Sequence, residues 1–217
     1  METYQEIIHT LSLTLGASWA SGINLYAALA VLGFAGASGM AQLPPGLEIL
    51  TNPMVIGAAC TMYVVEFFAD KIPGVDTTWD SLHTFIRIPA GAMLAAGAVG
   101  DVGPGLEIAA AILGGGLATA SHVTKAGGRV VINASPEPFT NWTASIVEDV
   151  VVIGGMWAAL QHPWIFFTLL ALFIIFVIWI LPKIGRGIAK VFRFIGRLFG
   201  VQSDPDISPE DFPDTTS

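Results

Sequence analysis

One uninterrupted apolar run constrains this chain more than any other feature. Residues 164–181, WIFFTLLALFIIFVIWIL, contain neither a charged side chain nor a glycine. A membrane-spanning helix needs roughly 20 mostly apolar residues, because the hydrocarbon layer is about 30 Å thick and each helical residue rises about 1.5 Å. Trp164 and Trp179 lie near the two ends, as interfacial anchors do. The run therefore predicts a lipid-facing transmembrane helix.

Other segments have a similar character, at about 11–35, 53–69, 79–99, 106–125 and 143–160. The 217-residue chain is 53% hydrophobic and 12% charged, which is about half the charge of an ordinary soluble domain. Its formal charge of −8 argues against a nucleic-acid partner, and Cys60 is the single cysteine, which excludes an intrachain disulfide. We predict an all-α polytopic membrane helix bundle with about six transmembrane helices. Gly114, Gly115 and Gly116 favour a central place for the fourth segment.

The sequence changes character twice after the last span. In residues 183–200 the basic side chains share one helical face, and residues 201–217 are acidic and rich in proline. We predict a transmembrane domain over 1–182, an amphipathic membrane-surface helix over 183–200 and a disordered tail over 201–217. Packing of the amphipathic helix against a partner is the alternative. The residues expected to contact anionic lipid headgroups are Lys183, Arg186, Lys190, Arg193 and Arg197.

The positions of the basic residues predict the topology. With six spans and a cytoplasmic C-terminus, all nine Lys and Arg residues fall in cytoplasmic loops, the cytoplasmic halves of spans or the C-terminal helix. The loops near 70–78 and 126–141 are then cytoplasmic, and those near 37–52, 100–105 and 161–163 are external. Both termini are predicted to be cytoplasmic. A re-entrant segment at 70–78 or 126–141 would change this arrangement.

An internal repeat is also visible. The string Pro-Gly-Leu-Glu-Ile occurs at 45–49 and again at 104–108, and an offset of 63 then aligns Trp79 with Trp142. We interpret this as a duplicated two-helix unit of the kind found in transporter and channel folds. At the same offset Glu66 aligns with Arg129, and Arg87 aligns with the neighbour of Asp149.

Charged and polar residues gather near the predicted cytoplasmic ends of the central spans. Their spacing by three or four residues places many of them on shared helical faces. Charges inside spans are costly and usually face a bundle interior or a water-filled cavity. The candidate pathway residues are Glu66, Asp70, Asp76, Asp80, His83, Arg87, His122, Lys125, Arg129, Glu148 and Asp149.

Two interpretations of these residues stay open. They could form structural pairs, such as Glu66–Arg129 and Arg87–Asp149, or the surplus carboxylates could line a pathway that attracts a cation or proton. A metal site is a weaker third interpretation, since no strong ligand spacing is present. Asn24 and Tyr26, near mid-span in the first segment, could bind a solute or bond a neighbouring backbone.

Four long sequence strings are distinctive. They are ASGINLYAALAVLG, LPPGLE, VEFFADKIPGVDTTWDSLHTFIRIPAGA and SHVTKAGGRVVINASPEPFTNW. They resemble a bacterial family of multi-pass membrane proteins known only as domain of unknown function 4126, over roughly residues 10–160. The resemblance implies an integral membrane location and no particular activity.

The function predicted from the residues is that of an inner-membrane transporter or channel for a small solute, a cation or a proton. A non-transporting membrane scaffold with structural salt bridges is the alternative. We expect no enzymatic activity, because no nucleophile–base motif is present, and no cofactor or resident metal. The expected partners are membrane lipids and a small cation or solute. Homo-oligomerisation is common among small bundles of this kind and stays open by analogy.

Overall fold

The computed structural model describes residues 2–72, 74–100, 102–133 and 138–198. In these ranges six α-helices follow one another, with a short 3₁₀ helix, Pro45–Thr51, between the first two. The α-helices are α1 Glu2–Ala37, α2 Pro53–Ala69, α3 Val75–Val99, α4 Pro104–Asn133, α5 Pro138–Gln161 and α6 Pro163–Leu198. The described ranges contain no strand, and several helices are long and apolar enough to cross a membrane. The predicted all-α polytopic bundle is confirmed.

Proline and glycine explain many of the helix boundaries. Proline is the first residue of α2, α4, α5 and α6, where its fixed φ suits a helix and its missing N–H costs nothing. Asn52 caps α2 by accepting a hydrogen bond from the backbone N–H of Met54 at 2.8 Å. Gly74, with φ of +86°, lies in the turn before α3. Residues 70–72 form a turn and α3 begins at Val75, so the described residues of the segment 70–78 do not form a re-entrant segment.

The first helix is broken in its middle. Asn24 has φ of −145° and ψ of 95°, which is extended backbone inside an otherwise helical segment. Its side-chain oxygen accepts a hydrogen bond from the backbone N–H of Ala27 at 3.0 Å. A residue with extended backbone that bonds the N–H three positions later is an N-cap. Asn24 therefore ends one helix, residues 2–23, and starts a second, residues 25–37.

The two halves of α1 fold back on each other. The Ser12 hydroxyl donates to the carbonyl of Ala159 at 2.9 Å, and the Gln161 amide donates to the carbonyl of Met40 at 3.2 Å. A straight helix would separate Ser12 from Met40 by about 42 Å, yet both contact the last turn of α5. We conclude that α1 is a helical hairpin that enters the bundle, turns at Asn24 and leaves on the side where it entered.

This hairpin changes the predicted topology. We name the end of the bundle that holds the start of α1 the amino end, and the end that holds Leu198 the carboxy end. After the hairpin, α2 runs toward the carboxy end, and α3, α4, α5 and α6 then alternate in direction: Gly46 packs against Gly97 at the amino end, and Gly127 packs against Ile184 toward the carboxy end. Five helices, α2 to α6, run from one end of the bundle to the other, whereas the hairpin does not. The prediction that both termini lie on the cytoplasmic side counted the first segment as one crossing, and the side of each terminus stays a prediction.

The last helix continues without a break through the predicted boundary at residue 183. α6 includes Pro182 inside a single helix that reaches Leu198, and Ile184 is buried against Gly127 of α4. The basic segment thus begins as a continuation of the span. Lys183, Arg186, Lys190 and Arg193 are exposed. The side chain of Arg197 and all of residues 199–217, including the predicted tail, lie outside what the structure describes, and the membrane-surface role stays a prediction.

The hairpin lies at the centre of the bundle, surrounded by the crossing helices. In its most apolar stretch 67% of the residues are buried, against 28% for α4 and 17% for α6. The fourth segment, which the sequence placed centrally, is thus more peripheral than the first, while α6 is lipid-facing as predicted. Small residues allow the close packing, because an added methyl group on Gly22 would clash with the Ala118 carbonyl oxygen.

The repeated pentapeptide opens a helical segment in both places. Pro45 begins the 3₁₀ helix and Pro104 begins α4. At the offset of 63, α2 and α3 correspond to α4 and α5. The predicted duplication of a two-helix unit stays a prediction.

Two neighbouring glycines of α4 provide a matched test of this packing. A methyl group on Gly114 would clash with the Ala95 Cβ, whereas one on Gly116 would meet nothing within 4 Å. We expect Gly114→Ala to lower stability by about 1–3 kcal/mol through overpacking and Gly116→Ala to leave it nearly unchanged. Thermal unfolding of both variants in detergent measures the difference. Equal unfolding temperatures would contradict the packing.

Candidate functional site: a buried ionic cluster

Charged side chains from four helices meet inside the bundle on the carboxy side of the α1 break. Hydrocarbon cannot solvate them, so each must find partners within the protein. All are buried except Glu148, whose side chain is 20% exposed. We name this group the ionic cluster, and its members are Glu66, Asp70, Asp76, Asp80, Arg87, Lys125, Arg129 and Glu148.

Arg87 of α3 joins α2 to α3. One of its terminal nitrogens donates to the Glu66 carboxylate at 2.6 Å, and the other donates to Asp80 at 2.9 Å. Its side chain is 0% exposed. A planar guanidinium suits this double contact, because its two terminal nitrogens diverge toward separate carboxylates.

Lys125 of α4 lies where several carboxylates converge. Its ammonium is 2.8 Å from Asp70, 3.4 Å from Glu66 and 3.6 Å from both Asp80 and Glu148. One positive charge is thus shared among acids from α2, α3, α5 and the turn after α2. Lys125 holds these elements together at a single point.

Arg129, one turn further along α4, closes the cluster at the carboxy end. It forms a bidentate pair with Glu148, with nitrogen–oxygen distances of 2.7 and 3.2 Å. It also donates to the backbone carbonyl of Asp70 at 2.9 Å and to the Asn141 side chain. All three guanidinium nitrogens therefore donate to protein oxygen.

The pairs that form differ from those that the sequence suggested. The predicted pairs were Glu66–Arg129 and Arg87–Asp149, whereas Arg87 bridges to Glu66 and Asp80, and Arg129 bridges to Glu148, Asp70 and Asp76. The repeat alignment failed because it matched sequence positions and could not show which helix faces meet. Asp149 forms no ion pair within 4 Å with any described residue.

Asp76 and Lys71 fasten the turn between α2 and α3. The Asp76 carboxylate accepts from the backbone N–H groups of Gly74 and Thr77 and from the Asn133 amide at 2.8 Å, which ties this turn to the end of α4. Lys71 donates to the Phe67 carbonyl at 3.0 Å and lies over the Phe67 ring. Burial lowers the pKa of Lys71, although nearby Asp149 and Asp70 oppose the change.

Both predicted histidines are hydrogen-bonded within the protein. His83 Nδ1 lies 2.8 Å from the Trp79 carbonyl, and its Nε2 lies 3.1 Å from the Tyr26 hydroxyl of the hairpin. His122 Nε2 lies 2.7 Å from the Thr84 hydroxyl. In the described residues no group of three or more His, Cys, Asp and Glu side chains is arranged to hold a metal ion.

Asn24 connects the break in α1 to Asp149 of α5. While its oxygen caps the second half of the hairpin, its side-chain nitrogen donates to Asp149 Oδ1 at 3.0 Å. Asn24 is 1% exposed and Asp149 is 7% exposed. Of the two roles suggested for Asn24, the bond to a neighbouring backbone group is present, and binding of a solute stays a prediction.

Several buried carboxylate oxygens have no hydrogen-bond donor in the part of the chain that the structure describes. They are Glu66 Oε2, Asp70 Oδ1, Asp80 Oδ2 and Asp149 Oδ2. An unsatisfied oxygen on a buried carboxylate is expensive, because the charge loses its hydration without full compensation. These four atoms mark where a proton, a cation or water would be stabilised.

One sizeable cavity lies at the amino end rather than at the ionic cluster. It has a volume of about 490 Å³ and is lined by the first arm of α1, including Gln5 and His9, by Gln42 of the loop that follows α1, and by Gln161. A larger apolar groove of about 670 Å³ lies between α5 and α6. Neither is lined by a member of the ionic cluster.

A family model described as domain of unknown function (DUF4126) matches residues 11–183. The chain belongs to this family. The match includes every residue of the ionic cluster and both halves of the α1 break, so the site lies within the DUF4126 domain. No curated protein and no solved structure matches the chain. The apolar helices indicate a multi-pass membrane protein, and the family description names no activity, so the chemistry must be argued from the residues.

Polar residues outside the sequence prediction complete the site. Asn133 and Asn141 bond Asp76 and Arg129, and Ser145 bonds Lys71 at 3.4 Å. A useful signal was present, since these residues stand at helical spacing from predicted members: Asn133 follows Arg129 by four, and Ser145 precedes Asp149 by four.

Proposed function

We propose that this DUF4126 protein is a membrane transporter that moves a small cation or a proton through the junction between the broken helix α1 and the ionic cluster. One observation carries the proposal: buried oxygens of Glu66, Asp70, Asp80 and Asp149 lack a hydrogen-bond donor among the described residues. Oxygens of this kind attract positive charge in a low-dielectric interior.

The balance of charge supports the same proposal. Six acids lie in this region against four bases, and the bases are Lys71, Arg87, Lys125 and Arg129. A surplus of two negative charges in a membrane interior must be neutralised by protons or bound cations. A purely structural network would not need that surplus.

The broken helix gives a physical reason for transport at this depth. Transporter sites commonly lie where discontinuous helices end near the middle of the bilayer, since helix ends carry partial charges and free backbone groups. In this protein the break at Asn24 faces Asp149, and the Ser21 hydroxyl donates to the Arg87 carbonyl at 3.1 Å. The hairpin tip therefore touches both α3 and α5 beside the charges.

A non-transporting scaffold is the second candidate. The observation that favours it is that Arg87, Lys125 and Arg129 each form ion pairs within the cluster, together with cavities that are not lined by the cluster. In that case the charges would only fasten the helices, and neutral substitutions would lower stability without changing any flux.

The orientation follows from the positive-inside rule. The nine Lys and Arg residues lie in the carboxy half of the bundle or in the extension of α6. We propose that the carboxy end faces the cytoplasm of a bacterial inner membrane, with the C-terminus inside and the N-terminus outside. The basic segment of α6 would then meet anionic lipid headgroups at the cytoplasmic surface.

Thiol labelling tests this orientation. In a Cys60→Ala background, Gln5→Cys and Arg193→Cys place single cysteines at exposed positions of the amino and carboxy ends. We expect a membrane-impermeant maleimide added to intact cells to label Gln5→Cys and not Arg193→Cys until the cells are opened. Equal labelling of the two before lysis would contradict five crossings.

Flux through reconstituted vesicles tests the transport proposal. Vesicles that contain a pH-sensitive dye report proton movement under an imposed potential, and sodium- and potassium-sensitive dyes report the alternative cations. We expect Glu66→Gln, Asp70→Asn and Asp149→Asn each to lower the flux at least tenfold, a barrier increase of about 1.4 kcal/mol. The exposed Glu48→Gln at the amino end is the control. Unaltered flux in all three variants, or none in the wild type, would overturn the proposal.

A further inference from the structure

We propose that Asp149 is a proton-binding site whose occupancy is coupled to the contact between the hairpin tip and α5. The motivating fact is its isolation: each of the other buried acids in the described residues lies within 4 Å of a base, and Asp149 does not. The assignment of transport to this proton rests on the proposed function, whereas the protonation itself does not.

The geometry around Asp149 favours neutralisation. The carboxylate is 7% exposed, its Oδ1 accepts a hydrogen bond from Asn24, and its Oδ2 has no donor among the described residues. The Tyr63 hydroxyl also interacts with this carboxylate, but it is neutral and supplies no positive charge. A buried carboxylate whose hydrogen-bond partners are neutral, and which has no base within ion-pair distance, favours the protonated form.

The neighbouring bases are occupied elsewhere. Tyr63 of α2, Asp70 and Lys71 of the following turn, Lys125 of α4 and Glu148 of α5 are the titratable groups around Asp149. Lys125 contacts four other carboxylates, and the Lys71 ammonium bonds the Phe67 carbonyl and the Ser145 hydroxyl. The charges of Asp70 and Glu148 further oppose a second negative charge nearby.

Asn24 favours a proton over a metal ion at Asp149. Because the Asn24 oxygen is used to cap Ala27, its NH₂ group must face the carboxylate. An amide nitrogen repels a cation, and a sodium or potassium ion would need several oxygen ligands on one side. A proton needs one oxygen, and Asp149 Oδ2 supplies it.

The same contact couples the proton to the hairpin. A hydrogen bond from an amide to an ionised carboxylate is roughly twice as strong as one to a neutral carboxyl group. Loss of the proton therefore tightens the bond between Asn24 and Asp149, and binding of the proton weakens it. The protonation state of Asp149 therefore changes the strength of its bond to the break in α1. In turn, the position of the break changes the free energy of releasing the proton.

Infrared spectroscopy of the full-length protein in detergent tests the protonation directly. We expect a carboxylic-acid C=O band at neutral pH that shifts in deuterium oxide and is lost in Asp149→Asn. The neighbouring Glu148→Gln is the matched control and should retain the band. Asn24→Ser shortens the side chain, removes the bond to Asp149 and should raise the frequency of the band. Absence of the band in the wild type, or its survival in Asp149→Asn, would overturn the inference.

Proton flux separates this inference from the proposed function. A band assigned to Asp149 in a protein without any flux would support the protonation and overturn the transport proposal. Proton flux that is unchanged by Asp149→Asn but lost in Glu66→Gln would support transport and overturn the role of Asp149. A matching loss of the band and the flux in Asp149→Asn would support both.

Discussion

Replacement of Arg87 by methionine is expected to be the most destabilising single change in the ionic cluster. Methionine has a similar length and keeps the packing, but it leaves Glu66 and Asp80 without the guanidinium that contacts them at 2.6 and 2.9 Å. Both acids are buried. Removing one partner of a buried ion pair costs roughly 3–5 kcal/mol, because the remaining charge is uncompensated.

Thermal unfolding in detergent measures this effect, with Arg193→Met as the control at an exposed position of α6. The triple variant Arg87→Met, Glu66→Gln, Asp80→Asn removes the two stranded charges and should recover much of the lost stability. If Arg87→Met unfolded at the wild-type temperature, the proposed network of buried pairs would be wrong.

The second large effect is expected at the break in α1. Asn24→Leu removes the cap of the second half-helix, a loss of about 0.5–2 kcal/mol. It also removes the hydrogen bond to Asp149 Oδ1, which adds about 1–3 kcal/mol for an unsatisfied buried group. Because leucine favours a continuous helix, we expect this variant to unfold at a clearly lower temperature and to lose flux.

Asn24→Ser distinguishes the two contributions. Serine caps a helix about as well as asparagine, but its shorter side chain does not reach Asp149. We expect intermediate stability, with the helix break retained and the flux reduced. Stability equal to that of Asn24→Leu would show that the cap contributes little, and stability equal to the wild type would show the same of the bond to Asp149.

Hydropathy predicted the positions of the helices well and their ends less well. The segment 53–69 coincides with α2, and the predicted 106–125 is the apolar part of α4, which continues to Asn133. The predicted segment ended at Lys125 and left Arg129 outside it. They lie inside the bundle because Asp70, Glu66 and Glu148 neutralise them there, and a hydropathy scale contains no such partners.

The members of the ionic cluster could be predicted from the sequence, whereas their pairing could not. A charge inside an apolar segment must face other polar groups, so the sequence alone indicates that Glu66, Arg87 and Arg129 lie in a polar site. Which acid meets which base depends on how each helix is rotated and staggered. Arg87 reaches Asp80 within its own helix, seven residues apart and two turns away, so no comparison between repeats could reveal it.

The fold-back of α1 was missed because the first segment looks like one ordinary span. It contains no proline, and Gly22 near Asn24 is a common feature of membrane helices. The informative signal was an asparagine in mid-segment, which can both cap a helix and satisfy a partner. That partner, Asp149, lies 125 residues away in the sequence, and its place beside Asn24 follows only from the folded structure.

The hairpin also has a mechanical consequence. Both of its arms leave from the amino end, so its tip is not covalently attached to anything at the carboxy end. It is held there by side-chain contacts of Ser21, Asn24 and Tyr26 with Arg87, Asp149 and His83. A tip attached from one side only can shift along the bundle axis without threading any chain through the bilayer, and both the apolar packing of α1 and these three hydrogen bonds resist that shift.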